Sequence, residues 1–144
     1  MSYGVSPSLQ EAVYRALSDN QALAAMVDGH IFDMPPSGKN LSTYIAIGAE
    51  DVRDRSDKTG RGARHDLEIS VITSDVGFHR AKTIAAAVTD MLLTSPLDIS
   101  RGRIVLLTFL RARARLDENA RVRRVDLRFR ALVEDTNAEP LEVN

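Results

Sequence analysis

Cysteine is absent from the 144-residue chain, which excludes a disulfide scaffold, a thiolate metal site and a cysteine nucleophile together, while leaving the redox compartment open. No apolar run approaches membrane-spanning length, and the start, MSYGVSPSLQEAVYRAL, lacks the positive segment and apolar core of a secretory signal. The expectation is a soluble chain made in the cytoplasm, with no membrane partner. Aromatic residues are scarce at 5%, and the arginine-rich last third holds only Phe109 and Phe129, a thin platform for stacking bases. A charge imbalance is missing too: 19 Lys and Arg face 20 Asp and Glu. A chain that holds DNA through its phosphates needs a net basic face.

What is present is an ordinary globular mixture, 44% hydrophobic and 27% charged. The length fits a single domain, drawn over residues 1–134, with a patternless tail at 135–144 that assembly would order. Local signatures of chemistry do not appear. His30, His65 and His79 lack metal-ligand spacing, and His65 and Glu68 fall on opposite faces of any strand. The glycines of KTGRGAR lack the strand, spacing and Lys-Ser/Thr ending of a phosphate loop, and no nucleophile elbow occurs. The expectation is therefore a non-enzyme with no catalytic residues, no metal and no cofactor.

Hydrophobic periodicity gives the elements. In SPSLQEAVYRAL, Ser8 and Glu11 have capping-box spacing, and Leu9, Ala12, Val13, Ala16 and Leu17 share a helical face. A second short helix follows in SDNQALAAMVDG, with Leu23, Met26 and Val27 inward and Gly29 as its C-terminal cap. His30 to Phe32 reads as a short extended piece, and DMPPSGKNLS as a loop. TYIAIGAEDV is a strand burying Ile45, Ile47 and Ala49; HDLEISVITS is another, with Leu67, Ile69 and Val71 alternating against polar residues. The helix after it, capped by Ser74 or Asp75, puts Phe78, Ala81, Ile84, Ala85, Val88, Met91 and Leu92 on one face and stops near LTSP.

The remainder, RIVLLTFLRARARL, DENA and RVRRVDLRFRALVE, is a long antiparallel hairpin. Leu110, Ala112, Ala114 and Leu116 alternate with Arg111, Arg113 and Arg115; Val125, Leu127, Phe129, Ala131 and Val133 alternate with Arg124, Asp126, Arg128 and Arg130. Because Val122 sits out of phase with this second set, a β-bulge is expected at Arg123 and Arg124. Paired strands separated by a helix favour an α+β fold: about four antiparallel strands with helices on one face.

Two sets of charged residues are the candidate sites. The first is the stretch 51–64, a mobile loop or long hairpin tip carrying Asp51, Arg53, Asp54, Arg55, Asp57, Lys58, Arg61 and Arg64, which has no core to join. The second is the polar sheet face with Arg111, Arg113, Arg115, Arg124, Arg128 and Arg130; ten of the chain's 16 arginines lie between positions 101 and 130. These arginines either lay their stems over the sheet and pair with Asp66, Glu68, Asp126 or a neighbour's carboxylates, or they contact phosphates. Charge balance favours pairing, with a DNA-binding accessory module as the alternative and a small-ligand regulatory or metabolic domain as a third class.

Four segments together carry a resemblance: LQEAVYRALS, YIAIGAEDVRDRSDKTGRGARHDLEISVIT, GFHRAKTIAAAVTDML and RGRIVLLTFLRARARLDENARVRRVDLRFRALVED. Over nearly the whole chain except the last ten or so residues, their ordered combination resembles the tail terminator, or tail-completion, proteins of long-tailed phages, and most the version in gene transfer agents. The resemblance implies a structural protein of the virion or gene transfer agent particle, at the junction of tail and neck. It implies a homo-oligomeric, commonly hexameric, ring that caps the tail tube, stops its polymerisation and joins it to the head. It further implies contacts with the tail tube protein and the head or neck connector (stopper) protein, and transient passage of DNA through the ring.

Overall fold

The computed structural model describes residues 3–33, 41–58 and 60–135; the loop expected around residues 34–40 and the tail beyond 135 lie outside them. The chain forms α1 (Ser6–Asp19), α2 (Gln21–Met26), β1 (Ile31–Phe32), β2 (Thr43–Asp54), β3 (Gly62–Thr73), α3 (His79–Thr94), β4 (Arg103–Asp117) and β5 (Val122–Glu134). The fold is α+β, as expected, but the sheet has five strands in the order β1-β2-β3-β5-β4. It is mixed, because the two-residue β1 runs parallel to β2 while every other pair is antiparallel. The residues of β1 lie within the extended piece read at His30 to Phe32, and pairing with β2 makes them a strand.

The helices lie on one face. Leu9, Ala12, Val13 and Leu17 of α1, Leu23 of α2 and Ala81, Ile84, Ala85, Val88 and Leu92 of α3 are buried against Ile45, Ile69, Val71, Val125, Leu127 and Phe129. Each large side chain removed from water contributes about 1.5–3 kcal/mol before conformational entropy is subtracted. The helix ends differ from the capping residues read in the sequence. Helix α1 starts at Ser6 with Pro7 in its first turn, where a missing N–H costs no helical bond. Ser8 lies inside it, donating its hydroxyl to the carbonyls of Val5 and Arg101, while Glu11 pairs with Arg15, so no capping box forms. Helix α3 begins behind Phe78 without a side-chain cap; neither Ser74 nor Asp75 caps it. Helix α2 does carry a cap, Asn20, whose Oδ1 accepts from the Leu23 amide at 3.0 Å, and it ends on Asp28 and Gly29, both at positive φ.

Three bulges set which side chains face the helices. In β2 the register slips between Ile47 and Glu50, so Ala49 is exposed, not buried, and Glu50 comes to the helix side opposite Leu67. The bulge expected at Arg123 and Arg124 does not occur, since β5 pairs without interruption with β3 from Arg123 to Glu134. The irregularities are in the partner strand, between Ile104 and Leu106 and between Phe109 and Arg111. The phase conflict is resolved by a side-chain contact: Arg123 takes the helix side at the sheet's end, its guanidinium 5.5 Å from the Phe78 ring centroid and donating to the Asp75 carbonyl at 2.9 Å.

Where α1, β4 and β5 meet, Gly102 has φ +79°, and a Cβ there would lie 2.6 Å from the Glu134 carbonyl oxygen and 2.8 Å from Val5. Gly102→Ala is expected to destabilise the protein by about 1–3 kcal/mol in urea unfolding, whereas Gly60→Ala, with nothing within 4 Å of its added methyl, leaves the midpoint nearly unchanged.

Candidate functional site

The sheet face away from the helices is the polar face. It gathers the even-numbered residues of β3 and β5 and, through the two bulges, Arg111, Arg113 and Arg115 of β4. The candidate arginines 111, 113, 115, 124, 128 and 130 therefore do share one surface. Their pairing partners are largely the carboxylates read from the sequence. Arg130 grips Asp66 with two hydrogen bonds of 2.8 and 3.1 Å across the β3–β5 pair. Asp126 is more enclosed: one oxygen accepts from Ser70 Oγ at 2.6 Å and Arg124 Nη2 at 3.1 Å, the other from Arg115 Nε at 3.3 Å. Arg111, Arg113 and Arg128 have no ion-pair partner among the described residues. With Arg115, Glu68 and Asp126 they line an open pocket of about 290 Å³.

The candidate stretch 51–64 is divided by the structure. Asp51, Arg53 and Asp54 belong to β2 and Arg64 to β3, facing one another in the register Asp51↔Asp66, Arg53↔Arg64 and Asp54↔Ala63. The stretch is thus part of the long β2–β3 hairpin, paired as far as Asp54↔Ala63, and not a mobile loop from 51 onwards. Asp54 turns the chain by accepting from the Ser56 amide and hydroxyl, and Asp57 accepts from the Gly60 amide at 2.9 Å. Arg53 pairs with Asp51 on the same strand, both exposed. Arg55, Lys58 and Arg61 stand exposed near the tip.

Two features had no signal in the sequence. One is a partly buried polar group under α1: Glu50 accepts from Ser6 Oγ at 2.8 Å and from Tyr3 at 2.9 Å, and lies 3.0 Å from Nδ1 of the fully buried His65. It fastens the start of α1 to the sheet, and its members are separated by 15 to 47 positions. The other is β4 itself. Ala112, Ala114 and Leu116 lie on the helix side, as their alternation required, yet all are exposed because α3 packs over β3 and β5 and stops short of the distal half of β4.

Burial pushes the Glu50 and Asp126 carboxyls up, but hydrogen bonds from His65, Ser6 and Tyr3 to the first, and from Ser70, Arg124 and Arg115 to the second, outweigh it and hold both below the ordinary range. The Arg130 guanidinium holds Asp66 low as well. Groups with depressed folded-state pKa values stabilise the fold above the ordinary carboxylate value of about 4, and that stabilisation is lost as pH falls through the folded values. The melting temperature should therefore drop steeply only below about pH 4. Asp126→Asn should lose about 2 kcal/mol at neutral pH and show a shallower acid limb in the same melting series; an unchanged limb would exclude this carboxylate as a source of it.

Comparison with known proteins bears on the whole chain. No curated protein matches it. Among solved structures, a chain from the virion of a native gene transfer agent particle is 53% identical and superposes with a TM-score of 0.86, over 92% of this chain and 99% of that one. The family model described as tail completion protein gp17 matches residues 11–134, which takes in all of α2, α3 and the five strands and most of α1. The chain belongs to the tail completion protein gp17 family.

Proposed function

We propose that this protein is a structural component of a phage-like particle, most closely of the gene transfer agent kind, and that it caps the tail tube as a ring. In this role it stops tube polymerisation and provides the surface that joins tail to head. The observation that carries the reading is the 53% identity, across nearly the full length of both chains, to a component of a gene transfer agent virion. Family membership over residues 11–134 supports it. So does the form of the sheet: a hairpin carrying a charged tip, and a polar face on which cations exceed their carboxylate partners, offer contacts to other molecules without forming a catalytic constellation.

Within the ring, taken as a hexamer, the β2–β3 hairpin reaches the tail tube or a neighbouring subunit. Its strands hold the tip away from the core, and Arg53, Arg55, Lys58 and Arg61 are exposed there. The arginine face borders the path of DNA or meets the neck connector protein. The DNA-binding alternative draws on Arg111, Arg113 and Arg128, the unpaired cations of the pocket. It is weakened by Asp66 and Asp126, which pair with Arg130, Arg124 and Arg115 from within the sheet. A dedicated DNA binder would hold duplex at moderate salt with affinity falling steeply as salt rises, whereas a terminator binds duplex weakly as a free protein.

Deletion of the gene should yield particles with overlong or unattached tails in electron micrographs; normal particles would reject the reading. Arg53→Glu with Arg55→Glu should leave the melting temperature of the isolated protein within a few degrees and yet reduce tail attachment. Normal attachment in that variant would remove the hairpin from the contact surface.

A further inference from the structure

Apart from Val76 and Leu93, the exposed large apolar side chains of the described residues lie at the two opposite edges of the sheet. At one edge is β4, where Val105, Leu106, Phe109, Leu110 and Leu116 are between 39% and 50% exposed. A 15-residue edge strand with apolar groups on view invites another chain. Its helix side is a bare shelf beside α3, built from Phe109, Ala112, Ala114 and Leu116; the Phe109 ring stacks edge-on against buried Phe129 at 5.8 Å, so the shelf continues the core. At the other edge, beyond β1, Tyr3 and Tyr14 are 57% and 42% exposed. They line an open cleft of about 770 Å³ between the outer side of α1 and β1, with Ile31 and Phe32 at its base and Glu11 and Asp33 on its rim.

Resting on the ring reading above, we propose that these two edges are the two halves of one subunit contact: β4 of each copy seats beside β1 of the next, and the neighbour's α1 lies on the β4 shelf. The occupant of the shelf is thus a second copy of this chain. The fold supplies three reasons. The surfaces lie at opposite ends of the strand order β1-β2-β3-β5-β4, so the contact is head to tail and can repeat around a closed axis, which a self-complementary contact at β4 cannot. The layers match, since sheet continues sheet while the incoming α1 fills the place beside α3 that this chain's own helices leave bare. The contact also covers part of the long strand edge, two-residue β1 pairing with a short stretch of it.

The chain's lack of cysteine makes a direct test available. Tyr14→Cys and Leu116→Cys, combined in one chain and assembled into particles, should be joined by a short bismaleimide into a ladder of covalent multimers ending at one closed species. Either substitution alone should leave monomers. The pair Gln10→Cys and Ala114→Cys, both at exposed positions, repeats the test should the first perturb folding. Dimers from Leu116→Cys alone would show a β4–β4 contact and overturn the proposal. Particles that contain the protein at the tail end but give no ladder with either pair would overturn the edge contact and leave the tail role standing. Particles assembled with normal tails but lacking the chain would overturn both.

Discussion

Coverage of the sheet by the helix layer is the constraint on which the rest of this structure depends. α1, α2 and α3 pack over β2, β3 and β5, closing a core around Ile45, Ile69, Leu127 and Phe129. They do not reach the distal half of β4, and nothing in the described chain covers the opposite face. The fold thereby produces one dry face, one polar face and an uncovered edge strand. Each surface then takes the side chains that water or a partner tolerates. Arginines extend apolar stems along the open face, carboxylates within the sheet fix several of them, and alanines and a leucine remain on a shelf that this chain's own helices leave bare.

Polar anchoring on the two faces works by different means. On the open face, Asp66 is gripped by Arg130 from the next strand and Asp126 accepts from several donors at once, which holds both ionised. Pairs of this kind at a surface contribute little individually, but Asp126 is nearly buried and links three strands through Ser70, Arg115 and Arg124. On the helix face, Glu50 reaches Ser6, Tyr3 and His65 only because the β2 bulge turns it inward. A register slip of one residue would place it on the outer face, among the charged residues. The bulge therefore converts an ordinary surface carboxylate into the fastening of α1.

The same geometry separates the tasks of an assembly protein. Conserving the core requires only apolar side chains of suitable volume, whereas the hairpin tip, the arginine pocket and the two sheet edges are free to carry contacts. On the proposed reading, the protein meets copies of itself, the tail tube and the neck. The chain presents distinct surfaces for such meetings: apolar at the edges, mixed in charge at the β2–β3 tip, and cationic on the open face.

Much of this was legible in the residues. Period two in HDLEISVIT and VDLRFRALV, and helical spacing in α1 and α3, determined the elements, most of the core and the sharing of one face by six arginines, because side-chain direction follows directly from backbone repeat; Ala49 and the apolar residues of distal β4, also expected inward, are exposed. Asp66 and Asp126 could be named as partners for the same reason. Capping was misread at Ser8 and Ser74, where local chemistry yielded to packing at Arg101 and to the approach of Arg123 over Phe78. The bulge inferred from Val122 was misplaced because alternation in one strand does not say which of two partners absorbs an extra residue. The sequence by itself thus determined the elements and their faces. Only the tertiary structure decided the strand order, the addition of β1, the gathering of Tyr3, Ser6, Glu50 and His65, and the baring of β4. Those depend on contacts between residues distant in the chain, where the extent of a helix layer, and not the pattern of any strand, determines what is buried.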